Sequence, residues 1–236
     1  MELKKLEPAD FEFLERFEAF AEIEVINEPG MELDDKTRYM AILAALIGCQ
    51  GMEIFRMMLE EALSDKILTP QEAKEVVYQA VAYLGIGKVY PFLDATNAVM
   101  NKLGIAQPLE YQETTTSEDR LEKGAQTQVN IFGEGMKDFW KGGHINRWLA
   151  ANCFGDYYTR KGLDLKQREM ITFCYLAAQG GCESQLTSHV FGNFRLGNDS
   201  NFLIRVISQC LPYIGYPRSL NAIACVNNCQ INAGEK

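Results

Sequence analysis

Apolar positions recur along the chain in two helical patterns. Met40-Ala41-Ile42-Leu43-Ala44-Ala45-Leu46-Ile47 is an almost unbroken apolar run, and Met170 to Ala178 is nearly as apolar. Both are rich in Ala, Leu and Met, which lose little on entering a helix, and each is followed by glycine. A buried helix is therefore the better reading than a strand. Asp34 and Asp164 stand just before these runs as N-caps, since a carboxylate there accepts orphan backbone N–H groups. Thr69-Pro70-Gln71-Glu72 opens a further helix, with proline in its first turn. Behind it Ala73, Val76, Val77, Ala80, Val81 and Leu84 keep helical spacing. Strand alternation is scarce. The pattern predicts an all-α fold.

The same pattern occurs twice. Leu33-Asp34-Asp35-Lys36-Thr37-Arg38-Tyr39-Met40 lies over Leu163-Asp164-Leu165-Lys166-Gln167-Arg168-Glu169-Met170 at an offset of 130 residues. The register continues without a gap through Leu46/Leu176, Gly51/Gly181, Glu53/Glu183, Val76/Val206, Gln79/Gln209, Tyr83/Tyr213 and Gly85/Gly215. A register held so long marks a tandem duplication. Between the copies, Gln107 to Lys123 is polar and includes Thr114-Thr115-Thr116-Ser117-Glu118-Asp119. The sequence thus divides into a unit at 1–105, a linker at 106–124 and a second unit at 125–236.

Composition narrows the partners. With 23 Lys+Arg against 32 Asp+Glu the net charge is −9, and a duplex-binding surface needs the opposite balance. No apolar run approaches the roughly 20 residues that span a bilayer. Met1 to Asp10 is charged and has no signal-peptide core, so a cytoplasmic protein, without nucleic acid or membrane as partner, is expected. The seven cysteines follow no disulfide spacing and read as reduced thiols.

Where the copies differ, chemistry becomes readable. His189 faces Leu59, Glu169 faces Tyr39, Cys182 faces Met52 and Gln185 faces Phe55. The second unit is polar where the first is apolar or aromatic, so the second carries the candidate site. On a helix, Cys182, Gln185 and His189 fall on one face. Imidazole transfers protons near neutral pH, and Glu169, one helix earlier, is placed to fix its tautomer. A packed, hydrogen-bonded histidine is the plainer alternative. Arg168 and Glu183 recur as Arg38 and Glu53, and Tyr213 recurs as Tyr83, which points to architecture in each case. His144 reads as exposed near a helix N-terminus, and Phe139, Trp140 and Trp148 as core or interface. Arg147, Arg168 and Arg195 are the candidates for positive charge beside an acidic substrate.

Taken together, these residues resemble the carboxymuconolactone decarboxylase family, which also holds the alkylhydroperoxidase D-like proteins. The likeness rests on Leu163-Asp164-x-x-x-Arg168-Glu169, Gly180-Gly181, Gln185-Leu186-x-x-His189, Tyr213-Ile214-Gly215-Tyr216-Pro217 and Leu220-Asn221-Ala222. It spans most of the second unit, and more weakly Leu33 to Gly85 of the first. The resemblance implies an all-α fold, a site between helices near a subunit interface, and homo-oligomers such as trimers or hexamers. The family's peroxidase branch carries Cys-x-x-Cys-x-x-x-His; here the first cysteine is Cys182 but the second position is Gln185, which cannot complete a dithiol. Cys225 and Cys229, spaced as Cys-x-x-x-Cys, read as packing. The decarboxylase-like branch pairs a polar residue with histidine, and its longer spacing matches Glu169 to His189. That branch implies a small organic acid or lactone as substrate and no cofactor. His189 would then shuttle the proton, Glu169 orient it, and Gln185 donate to the developing oxyanion. Thiol peroxidase chemistry through Cys182 and His189 is the alternative, and a non-catalytic oligomeric binding protein the third reading.

Overall fold

In the computed structural model, residues 9–234 are described, with side-chain surroundings through residue 230; Met1 to Pro8 of the charged start of the chain lie outside them. Among the described residues there is no strand, and twelve α-helices follow one another. The first unit holds α1 (Phe11–Glu18), a π-helical stretch (Ala19–Glu24) and α2 (Val25–Asn27). It continues with α3 (Asp35–Gly48), α4 (Met52–Ser64), α5 (Pro70–Leu84) and α6 (Ile86–Lys102). The second holds α7 (Arg120–Phe132), α8 (His144–Trp148), a second π-helical stretch (Leu149–Tyr157), α9 (Leu165–Gln179), α10 (Glu183–Leu196), α11 (Ser200–Ile214) and α12 (Tyr216–Gly234). The two π-helical stretches begin 130 residues apart, at Ala19 and Leu149, so the duplication reaches further upstream than the matched residues.

The two apolar runs become the paired central helices. Every residue of α3 from Arg38 to Gly48, and of α9 from Arg168 to Ala178, is buried. Such all-round burial is what an apolar helix without a polar face requires. Caps start them as the sequence indicates: Asp34 accepts from the Thr37 amide at 2.9 Å and Asp164 from the Gln167 amide at 2.8 Å. Thr69 and Glu72 close a reciprocal capping box on α5.

The recurring polar residues cross between the units. Arg38 Nε donates to Gln209 at 3.1 Å, and Arg168 Nη1 donates to Gln79 at 2.8 Å. Thus α11 packs on α3 of the other unit, and α5 on α9. Arg168 is fully buried, pairs with Glu75 at 3.0 Å and donates to the carbonyls of Arg160 and Lys161. Its role is to tie the units together, and losing one partner of such a buried pair costs about 3–5 kcal/mol.

Two readings change. Helix α7 begins at Arg120, so the last five residues of the 106–124 linker are helical. The segment's polarity hid the helix, because α7 is built from polar helix formers and buries only a narrow stripe. Nor is the segment before it free. Lys161 N donates to Gln112 O at 2.9 Å, and the Thr114 hydroxyl to Thr159 O at 2.7 Å. Helix α7 lies backbone to backbone on the second π-helical stretch. A Cβ on Gly124 would meet Ala150 O at 1.9 Å, and one on Gly155 would meet Arg120 O at 2.2 Å. The aromatic residues also move: Phe139 and Trp148 are exposed, which removes the core reading for both.

Candidate active site

Helix α10 carries His189, which is 7% exposed, against the buried face of α9. Nδ1 of His189 lies 2.8 Å from Glu169 Oε2. Room for that carboxylate comes from Gly192, one turn further on, where a Cβ would stand 2.7 Å from the same oxygen. Asn193 Nδ2 holds the two backbones together, donating to Glu169 O at 3.0 Å and His189 O at 2.8 Å. The imidazole is packed edge-on by Tyr83 and Phe132, with ring centroids 5.3 and 5.5 Å away. With Nδ1–H given to the carboxylate, Nε2 is the nitrogen left for chemistry.

The second oxygen of Glu169 is also engaged. Tyr158, at the end of the π-helical stretch, donates to Oε1 at 2.6 Å. The Tyr158 hydroxyl lies 2.8 Å from both Thr172 Oγ1 and Tyr83 Oη, and Gln79 Nε2 donates to Thr172 at 2.9 Å. Burial, with the Glu169 charge beside them, pushes both tyrosine hydroxyls well above their ordinary range, so they stay protonated. Tyr83 and Gln79 belong to α5 of the first unit. The site of the second unit is thus assembled with the first.

An open cleft of about 1400 Å³ lies over His189. Its wall includes Cys182 and Gln185, so three of the four residues singled out from the sequence share it, and Glu169 stands behind His189. Gln185 is exposed, and its amide oxygen accepts from Ser184 at 2.9 Å. Cys182 is the residue that caps α10. Its thiol faces Leu176 O at 3.5 Å, and burial raises its pKa, which favours the thiol over the thiolate. All described cysteines are free.

None of the arginine candidates lines the cleft. Arg147 is exposed on α8, Arg168 is spent on Glu75 and Gln79, and Arg195 donates to Ile131 O at 3.1 Å. The sequence reading also missed Gln128 of α7. This residue borders the cleft, is fully buried, and has no hydrogen-bond partner at either amide atom. Its only trace in the sequence is a polar residue on the inward stripe of an otherwise amphipathic helix. In the first unit the equivalent space is filled: Leu59 and Phe55 are fully buried, and Phe55 packs edge-on against Phe92 at 5.0 Å. Among the described residues no helix is long and apolar enough to cross a membrane, and no cluster of three His, Cys, Asp or Glu residues is placed to hold a metal ion.

Comparison with known proteins agrees with the doubled pattern. A model of the carboxymuconolactone decarboxylase family matches twice, over residues 12–98 and 144–228. A search of curated proteins finds no match.

Proposed function

The chain belongs to the carboxymuconolactone decarboxylase family, in two tandem copies, and from that premise we propose that it is an acid/base enzyme moving a proton to or from carbon in a lactone or related organic acid. One observation carries this reading: a histidine with its Nδ1 fixed by a buried carboxylate 2.8 Å away, at the wall of a large cleft. A structural histidine needs no such opening. Loss of a carboxyl group, or of a proton, beside a carbonyl leaves an electron pair that passes into an enolate. His189 Nε2 exchanges the proton with carbon, and Glu169 stabilises the imidazolium formed meanwhile. Gln185, like Gln128 and Gln179, brings an amide to the cleft that can donate to the substrate or enolate oxygen. This chemistry asks for no cofactor.

A thiol peroxidase has less support. Gln185 stands four residues before His189, where the family's attacking cysteine would be, and Cys182, at the earlier position, is held as the thiol by burial. The non-catalytic reading leaves the Tyr158–Glu169–His189 arrangement without a purpose.

The test is incubation with a panel of lactones and lactone acids in deuterated water, reading carbon dioxide release and deuterium at carbon. His189→Ala should lower the rate by about 10²–10⁴, while Cys182→Ser should leave it within a few-fold. Equal rates for His189→Ala and the parent protein would sink the proposal. Loss with Cys182→Ser alone would return the thiol reading.

A further inference from the structure

The cleft wall says which substrates fit. Seventeen residues line it, and none is Arg, Lys, Asp or Glu. Phe132, Phe139, Phe154 and Phe191, with Leu149 and Leu176, are among its apolar lining. At about 1400 Å³ the space exceeds the roughly 300–1,000 Å³ usual for small-molecule sites. A carboxylate entering there would lose its water and meet no Arg or Lys on the lining itself, since Lys88 is bonded to Gln179 at 3.1 Å and Arg195 lies over the Phe191 ring, each one residue behind the wall. The protein's net charge of −9 adds to that barrier. Behind this apolar wall lies a polar group without a partner: Gln128, whose buried amide has neither a donor nor an acceptor and meets a ligand when its side chain turns into the cleft. Leaving such a group unbonded costs about 1–3 kcal/mol, which a ligand can recover by bonding to it.

We infer that the substrate is a bulky, largely apolar, uncharged carbonyl compound, such as a long-chain or aryl lactone, whose oxygen is taken by Gln128, and not a polycarboxylate. The inference rests on reading the cleft as the substrate site. It also selects the direction of the first step. With Nδ1–H given to Glu169, His189 Nε2 offers a lone pair to a proton on the carbon next to the carbonyl. The C–H bond breaks, its electron pair enters the C–C=O system as an enolate, and the proton resides on Nε2. Returning that proton to the same or a conjugated carbon restores a neutral product, and no oxidant or other reactant is consumed.

The experiment uses a matched pair of probes with one carbon skeleton: γ-dodecalactone, which is neutral, and its ring-opened 4-hydroxydodecanoate. Binding to the full chain is measured by calorimetry at neutral pH, in the parent and in His189→Ala. The latter separates recognition from turnover, because a failed preference overturns this inference while lactone binding without deuterium exchange overturns the function proposed above. The lactone should bind more than about tenfold more tightly than the hydroxy acid. Leu149→Arg, which sets a guanidinium on the partly exposed rim, should reverse that preference. Gln128→Leu should weaken the lactone about tenfold, leave dodecane-chain alcohols within twofold, and raise the melting temperature by removing an unbonded amide. Equal or tighter binding of the hydroxy acid overturns the inference. So does a Leu149→Arg variant that changes the molecular mass in solution but not the preference, since the cleft would then be a contact face between copies.

Discussion

His189 and Leu59 hold equivalent places in the two units, yet only the histidine has a carboxylate behind it. Glu169 is bonded at both oxygens, to His189 and to Tyr158, so its direction is set from two sides. Tyr158→Phe removes one of those bonds and leaves the carboxylate held from one side only. The imidazole is then less firmly oriented, so kcat should fall about tenfold with KM little changed. An unchanged kcat would reduce Tyr158 to packing. Cys182 gives a second check at this scale. Its raised pKa means that the thiolate appears only at alkaline pH. Alkylation by iodoacetamide, followed by mass spectrometry, should be slower than for free cysteine at pH 7. It should still be rising past the ordinary thiol range of about 8.5–9. Neither Tyr158 nor Gln128 was visible as a site residue in the sequence, because each depends on which helix passes behind it.

Helix α7 and the π-helical stretch before α9 form one wall of the cleft, and their contact is tight. Gly124 and Gly155 bring the two backbones together, and α7 carries Gln128 and Phe132 to the site. Gly124→Ala would favour the helix intrinsically by about 1 kcal/mol. The added Cβ would meet Ala150 O at 1.9 Å, a backbone atom with little freedom to yield. A net loss of about 3 kcal/mol in urea unfolding is expected, together with weaker ligand binding as α7 lifts. Unchanged stability would mean that the two segments are not in contact. At this scale the sequence showed the helices whose apolar residues keep a period. It did not show α7, whose polar residues resembled the linker, or the π-helical stretches, which have no periodic signature of their own.

Across the whole molecule the two units are interlocked: α5 braces α9, and α11 braces α3. The first unit is therefore part of the second unit's site through Gln79 and Tyr83. Many buried hydroxyls lie at this junction. Tyr83, Tyr158 and Tyr175 are held well above the ordinary tyrosine range by burial, and Cys153 is pushed up to about 12. The folded protein keeps protons that the unfolded chain would release from about pH 8.5 for cysteine and pH 10 for tyrosine. Stability is thus full below that range and falls as pH rises through it, by up to about 1.4 kcal/mol per pH unit for each group. Thermal melts between pH 8 and 11 should show a midpoint dropping steeply from near pH 9 upward, and a flat profile would contradict the burial of these groups.

The helical class, the duplication, the caps at Asp34, Asp164 and Thr69, and the unequal residues at His189 and Glu169 were all determined by sequence alone. Each depends on neighbours a few residues away or on a register that repeats along the chain. The tertiary structure decided what no local pattern encodes. It turned the repeated Arg and Gln residues into ties between units, closed Tyr83 of one copy over the histidine of the other, and left the cleft without a charged wall. Those outcomes depend on how two apolar helices without a polar face choose to bury one another, and that choice is made across the molecule.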